Sequence, residues 1–230
     1  MKSAKVIDPQ TVTKKRSSHP DRTAARPKRQ TQEERSHGTK QRIITTAIEI
    51  LYTKGYVAAT THGIAEQAGV SRGAMLHHFA SKDDLMLAVV RAAHERDSMY
   101  LRAGLAKIID PLERYFALPD LAWEVMSGPS GTAVLEIMMS SRSNPTLAGR
   151  LAPLQSEIES ESQDRIKQLM QDAGLRRGGM SQDFANLAVA AIRGFSLEAM
   201  FRKDTKKVVS SLKAFKALIR DYQTRDAGCE

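Results

Sequence analysis

Apolar residues recur three and four apart along most of this chain, and nowhere do they alternate with polar ones for long, so the pattern predicts helices throughout. Ile43, Ile44, Ala47, Ile48 and Leu51 make one face of a helix that stops near Gly55. Two short helices come next, then a long one over about 82–107. Asp110-Pro-Leu-Glu113 is a helix start, with Asp as N-cap, Pro at the first helical position and Glu two further on. Pro119 breaks that helix, and Leu121, Trp123 and Met126 fall in a short turn. A loop over 127–131 leads into a buried helix over 132–142 (Val134, Leu135, Ile137, Met138, Met139), which ends before Asn144-Pro145. A longer helix spans about 147–173, with Pro153 as the place for a kink and Gly174 as its end. Two last helices cover about 181–202 and 205–223.

The stretch from Ile64 to Leu85 carries the most information. Ile64, Ala65 and Ala68 share one face, and Ala65 is small enough to let a second helix cross closely. Gly69 sits at the turn, where positive φ costs glycine little. Ser71 is a good N-cap, Met75 and Phe79 give the next helix an inward face, and Ser81-Lys-Asp-Asp84 starts the long helix with a second capping arrangement. Thr60 or Thr61 caps the first helix. Two short helices joined by a tight glycine turn form the helix-turn-helix whose second helix enters the major groove of DNA. The combination of Gly55, Thr60, Ile64-Ala65, Ala68-Gly-Val-Ser71, Gly73, His78-Phe79, Ser81-Lys82 and Leu85 resembles the TetR family of bacterial transcriptional regulators over about residues 40–90. Beyond residue 90 the likeness is one of helix pattern and length.

The resemblance implies an all-α fold: a three-helix helix-turn-helix head followed by a larger helical ligand-binding and dimerisation domain. The expected division is a basic disordered arm over 1–36, the head over 37–85 and the effector domain over 86–225. The function it implies is a dimeric repressor released from a pseudo-palindromic operator by a small molecule. The alternative is a DNA-binding regulator or architectural protein controlled by a protein partner, without a small-molecule pocket.

Charge placement supports a nucleic-acid partner. Of the net charge of +9, an excess of eight lies in residues 1–42, where twelve Lys and Arg face four acids. Few large apolar residues interrupt the first 36, too few to offset the entropy of ordering them. A basic arm beside a DNA reader is an electrostatic footprint for phosphate.

The predicted recognition helix, about 71–77, presents Arg72, Gly73, Ala74 and His77 outward. Arg72 has the reach for a bidentate contact to guanine, or for a plain phosphate contact. Ala74 suits a thymine methyl, and Gly73 allows close backbone approach. Thr60, Thr61, Ser71 and Lys82 are expected near phosphates at helix starts. Leu76 stands where the family usually carries a tyrosine that touches the DNA backbone, and Leu76 cannot make that contact. Thr61 stands where an apolar residue is usual.

The helix from Phe184 to Phe201 is apolar over most of its circumference, so it needs cover on two sides. With the last helix it offers Phe184, Ala188, Ala191, Phe195, Leu212, Phe215 and Ile219 for packing, against the chain's own core or against a second copy in an isologous four-helix interface. Phe116, Trp123, Met126, Met138, Met139 and Arg193 are the candidates for an effector pocket: methionines adapt to varied apolar ligands, and Arg193 suits an anionic one. The same residues also read as ordinary core.

Other classes fit less well. No apolar stretch approaches the length of a membrane span. The single cysteine, Cys229, excludes a disulfide framework or thiolate metal site and makes a reducing cytosol the expected compartment. The histidines lack metal-ligand spacing. No phosphate loop or catalytic cluster is present, so neither an enzyme nor a cofactor is expected.

Overall fold

A computed structural model describes residues 31–175, 182–202 and 204–226, and among them the chain forms nine helices and no strand. They are α1 (Gln32–Ala58), α2 (Thr61–Gln67), α3 (Arg72–His78), α4 (Lys82–Leu105), α5 (Pro111–Met126), α6 (Pro129–Ser141), α7 (Pro145–Asp172), α8 (Gln182–Met200) and α9 (Lys206–Asp226). The all-α expectation holds. No described helix is long and apolar enough to cross a membrane.

Local rules set most boundaries, and three depart from expectation. First, α1 begins well before residue 37. The Thr31 backbone N–H donates to the Glu34 carboxylate at 2.9 Å while Glu34 N–H donates to Thr31 Oγ1 at 3.1 Å, a reciprocal capping box. Residues 31–36 therefore do not belong to a disordered arm; residues 1–30 lie outside the described residues. Second, α5 runs unbroken through Pro119. A mid-helix proline removes one hydrogen bond and costs about 3 kcal/mol, but Pro119 is buried and Tyr115 and Phe116 on the same helix are core residues, so packing outweighs the loss. Leu121, Trp123 and Met126 thus belong to a helix and not to a turn. Third, α6 starts at Pro129, whose fixed φ suits a first helical position, so the expected loop shrinks. Gly131 lies in that first turn, and a Cβ there would collide with the Met126 carbonyl.

One continuous core joins the head to the helices of the body. It runs from Ile43, Ala47 and Leu51 of α1 through Ile64, Met75 and Phe79 to Leu85 and Val89 of α4, Ala133 and Ile137 of α6, and Leu147, Leu151 and Leu154 of α7. The expected boundary between residues 85 and 86 falls inside α4, where Leu85 and Met86 are both fully buried in that core.

A ladder of ion pairs binds α4 to α7. Asp84 meets Arg150 at 2.6 Å, Arg91 meets Glu157 at 3.2 Å, and His94 meets Glu161 at 2.9 Å. Both residue numbers rise together, so the two helices run side by side in the same direction. At the foot of the ladder the Asn144 side-chain amide donates to Asp83 at 3.2 Å, just before α7 begins.

Candidate nucleic-acid interface and effector cavity

The α2–α3 unit is assembled by caps that the sequence specifies. Thr60 Oγ1 accepts from Gly63 N–H at 3.0 Å and opens α2. At the turn Gly69 takes φ 63, its N–H donates to Glu66 O, and Val70 N–H donates to Ala65 O, the paired bonds of a Schellman end. Ser71 Oγ then accepts from Ala74 N–H at 3.1 Å and opens α3. Met75 and Phe79 are buried beneath α3, which fixes the opposite face outward. On that face Ser71, Arg72, Gly73 and His77 are exposed and Ala74 is half-buried. Thr60 is exposed beside them and Thr61 half-buried. Leu76 is also exposed, an apolar side chain on the same surface.

Lys82, expected near a phosphate, has partners within the chain. Its Nζ donates to the Tyr56 carbonyl at 2.9 Å and sits 3.8 Å from the centre of the Tyr56 ring. Burial holds its pKa below the usual lysine range. The ammonium thus closes the end of α1 against α4, and the exposed cations of the head instead include Arg72, Lys40, Arg42 and Lys54. His78 is half-buried, and burial together with His77 and Lys40 pushes its pKa down.

The end of α1 is held from a second side. Gly55 takes φ 77, and the next N–H, that of Tyr56, donates to Glu136 Oε2 of α6 at 2.9 Å. Glu136 also packs 3.4 Å from where a Gly55 Cβ would be. Residues 55 and 56 lie just before the Thr60 cap of α2, so α6 grips the chain at the entrance to the helix-turn-helix.

On its other side α6 faces a cavity of about 790 Å³. Its walls come from α4, α5, α6, α7 and α8 with Ile219 of α9, and they are mainly apolar: Leu101, Leu118, Val125, Leu135, Ile158 and Ile192 are representative. Met126, Met138 and Arg193 line it, and so does Ala188. Phe116 instead lines a smaller recess of about 470 Å³ between α5 and α9, under the Arg220 guanidinium. Trp123 and Met139 line neither, because the face of each helix turned to the cavity is the one carrying Met126 and Met138. Sequence reasoning missed the polar lining: Asp97, Ser98 and Arg102 on α4, and Ser162 and Arg165 on α7. A signal existed, since Val90, His94, Asp97, Leu101 and Leu105 are spaced as one inward helical stripe with an acid in its middle. Burial pushes the Asp97 carboxyl up to about 6, against the pull of Arg96 and the Ser130 hydroxyl.

The residues expected at a dimer interface divide. Leu212 and Ile219 are buried inside the chain, and Phe215 meets Phe195 edge-on with ring centres 5.9 Å apart. They pack α9 against the chain's own neighbouring helices. Ala191 is half-buried, and the Phe184 side chain lies outside the described residues. The large apolar residues left outward on α8 and α9 are Leu187, Val209, Leu218 and Tyr222, with Ala190 and Gly194 beside them on α8 and Phe201 just after it.

Comparison with known proteins agrees with this geometry. The family model described as bacterial regulatory proteins of the tetR family matches residues 43–89, which are α1 from its first buried isoleucine through α2 and α3 into α4. Over those residues the chain carries the DNA-binding region of the TetR family. It is similar to the HTH-type transcriptional regulator CymR of Pseudomonas putida, 28% identical over 79% of this chain and 89% of that protein. It is also similar to the HTH-type transcriptional regulator UidR of Escherichia coli K12, 27% identical over 63% of this chain and 70% of that one. In fold it resembles a TetR transcriptional regulator from Chloroflexus aurantiacus, with a TM-score of 0.67 and 21% identity over 81% of this chain and 96% of that one. The protein is accordingly a DNA-binding transcription regulator of the helix-turn-helix type, and its curated relatives are named as regulators.

Proposed function

We propose that the protein is a dimeric repressor whose grip on DNA is loosened by a small molecule in the cavity beneath α6. The observation that carries this reading is the position of α6. One face, with Gly131, Val134, Leu135 and Met138, lines the cavity. The other face sends Ala133 and Ile137 into the head core and Glu136 to Tyr56 N–H. A ligand that displaces α6 therefore moves the residues leading into α2. The cavity favours this over control by a protein partner alone, which needs no such space.

In this reading α3 enters the major groove, with Arg72 reading a base and Ala74 and His77 beside it, while Thr60, Thr61, Ser71 and Gly73 lie near phosphates. The two heads of a dimer span about 34–36 Å, one DNA turn. Leu187, Leu218 and the small residues of α8 form the contact between copies. The domain division of arm, head and effector body remains as read from the sequence, apart from the residues that α1 claims.

Two variants test it. Arg72→Ala weakens specific binding by roughly 1–3 kcal/mol and relaxes preference at one base position per half-site in a selected-site library. Uniform loss across all sequences would show that Arg72 touches phosphate only. Leu218→Arg, at a side chain 59% exposed, leaves the monomer folded but places an uncompensated charge in the contact. Sedimentation then reports a monomer, and a dimer of unchanged stability would refute the proposed interface.

A further inference from the structure

The charged groups around the cavity are unevenly partnered. His94 has Glu161, and Arg114 donates from Nε to Ile108 O at 2.9 Å and from Nη2 to Ile109 O at 3.2 Å. On the α4–α7 surface Arg91 and Arg150 each have a carboxylate. Arg102 and Arg165 do not. Both line the cavity, one from α4 and one from α7, and their only hydrogen bonds among the described residues stay on their own helices: Arg102 Nε to Ser98 O and Arg165 Nη2 to Ser162 Oγ, each 3.2 Å. Burial holds the Arg165 pKa below the usual arginine value, Glu161 opposes that, and Arg102 adds a smaller push downward. Arg165 is half-buried beside the apolar chamber and Arg102 is exposed at it, and neither makes an ion pair with a carboxylate among the described residues. An anion held by both would use their remaining donors, which suit bidentate contact.

We propose that the ligand of this cavity is an amphipathic organic acid, its apolar body in the chamber and its carboxylate between Arg102 and Arg165. This rests on the reading of the cavity as an effector site and adds the chemical class. Arg193, on α8, lines the same cavity and carries the same sign.

Three probes with one body and three head groups separate the possibilities: octanoate, octanamide and octyltrimethylammonium, titrated calorimetrically into the full-length protein. Charge-assisted hydrogen bonds predict octanoate binding roughly ten- to a hundredfold tighter than octanamide. Arg102→Gln and Arg165→Gln each remove most of that gap and leave octanamide unchanged, and Arg165→Lys, which keeps the charge, retains part of it even should a glutamine variant fold poorly. Preference for octyltrimethylammonium would overturn the proposal and make Asp97 the head-group contact. An octanoate advantage that survives both glutamine variants would overturn it too. Equal binding of all three refutes the organic-acid assignment while leaving the cavity as a ligand site; binding of none refutes both.

Discussion

Asp97→Asn is the substitution whose effect the structure specifies most fully. Asp97 ionises near 3.8 when unfolded and near 6 in the fold, because burial disfavours its charge. A raised carboxyl pKa means that the folded state holds the proton more tightly. The native side chain therefore carries no penalty below the unfolded value, an increasing one as pH climbs through the interval, and the full one above about 6. At about 1.36 kcal/mol per pH unit, that interval sets a ceiling of about 3 kcal/mol. The carboxyl is partly open to the cavity, and screening by water there reduces the penalty to roughly 1–2 kcal/mol. Asparagine has similar shape, keeps an acceptor for the Ser130 hydroxyl and never ionises. Asp97→Asn should therefore raise the melting temperature at pH 7.5 by roughly 2–8 °C for a chain of this size. The advantage should fall to roughly half by pH 5. Thermal unfolding followed by circular dichroism, variant beside parent at pH 7.5, 6 and 5, measures both. An advantage constant across that range would mean that packing and not ionisation distinguishes the two. A variant less stable at pH 7.5 would mean that the ionised carboxylate is satisfied in a way the structure does not show.

Two further outcomes concern the head and its arm. Glu136→Ala strands the Tyr56 N–H and should cost roughly 1–3 kcal/mol in urea unfolding, with faster amide exchange between Tyr56 and Thr60; Glu136→Gln keeps an acceptor and should cost less. Deleting residues 1–30 removes nine Lys and Arg. If they reach DNA, the slope of log K against log salt falls by about 0.9 for each phosphate that is no longer neutralised, with folding unchanged; an unaltered slope would show that the arm does not engage DNA.

The head was largely legible because its geometry is dictated locally. Thr60, Ser71 and Ser81 cap by hydrogen bonds to residues three ahead, and Gly69 adopts the positive φ that its turn requires. Such rules operate within a few residues and need no knowledge of the rest. Thr31 obeys the same rule, yet its box lies among basic and polar residues whose composition suggested disorder. Pro119 misled in the opposite way, since its helix is sustained by tertiary packing that a local rule ignores. The last helix shows where periodicity fails. Val208, Leu212, Phe215 and Ile219 make one apolar row, and Val209, Leu218 and Tyr222 fall on another side, so the pattern alone cannot say which faces inward. The cavity is harder still, because its lining is gathered from helices far apart in sequence. Met126, Met138 and Arg193 were reached through residue type; Asp97 and Arg165 needed the packing of α4 against α7.

That packing complicates any salt titration of this protein. Arg91, Glu157 and Glu161 of the ladder stand in water, where added ions weaken their attraction within a Debye length of about 8–10 Å. Raising ionic strength thus acts in two places: it displaces the protein from phosphate, and it softens the strut that fixes α4, and with it the reading head, to the body. The measured slope for the intact protein is then a composite, steeper or shallower than counterion release alone by whatever the strut contributes. Subtracting the slope of the arm-deleted chain cancels that contribution, because both chains carry the same ladder. Shortening the arm thereby isolates its own electrostatics, whereas replacing a ladder residue such as Glu157 would report how stiffly the body steers the head.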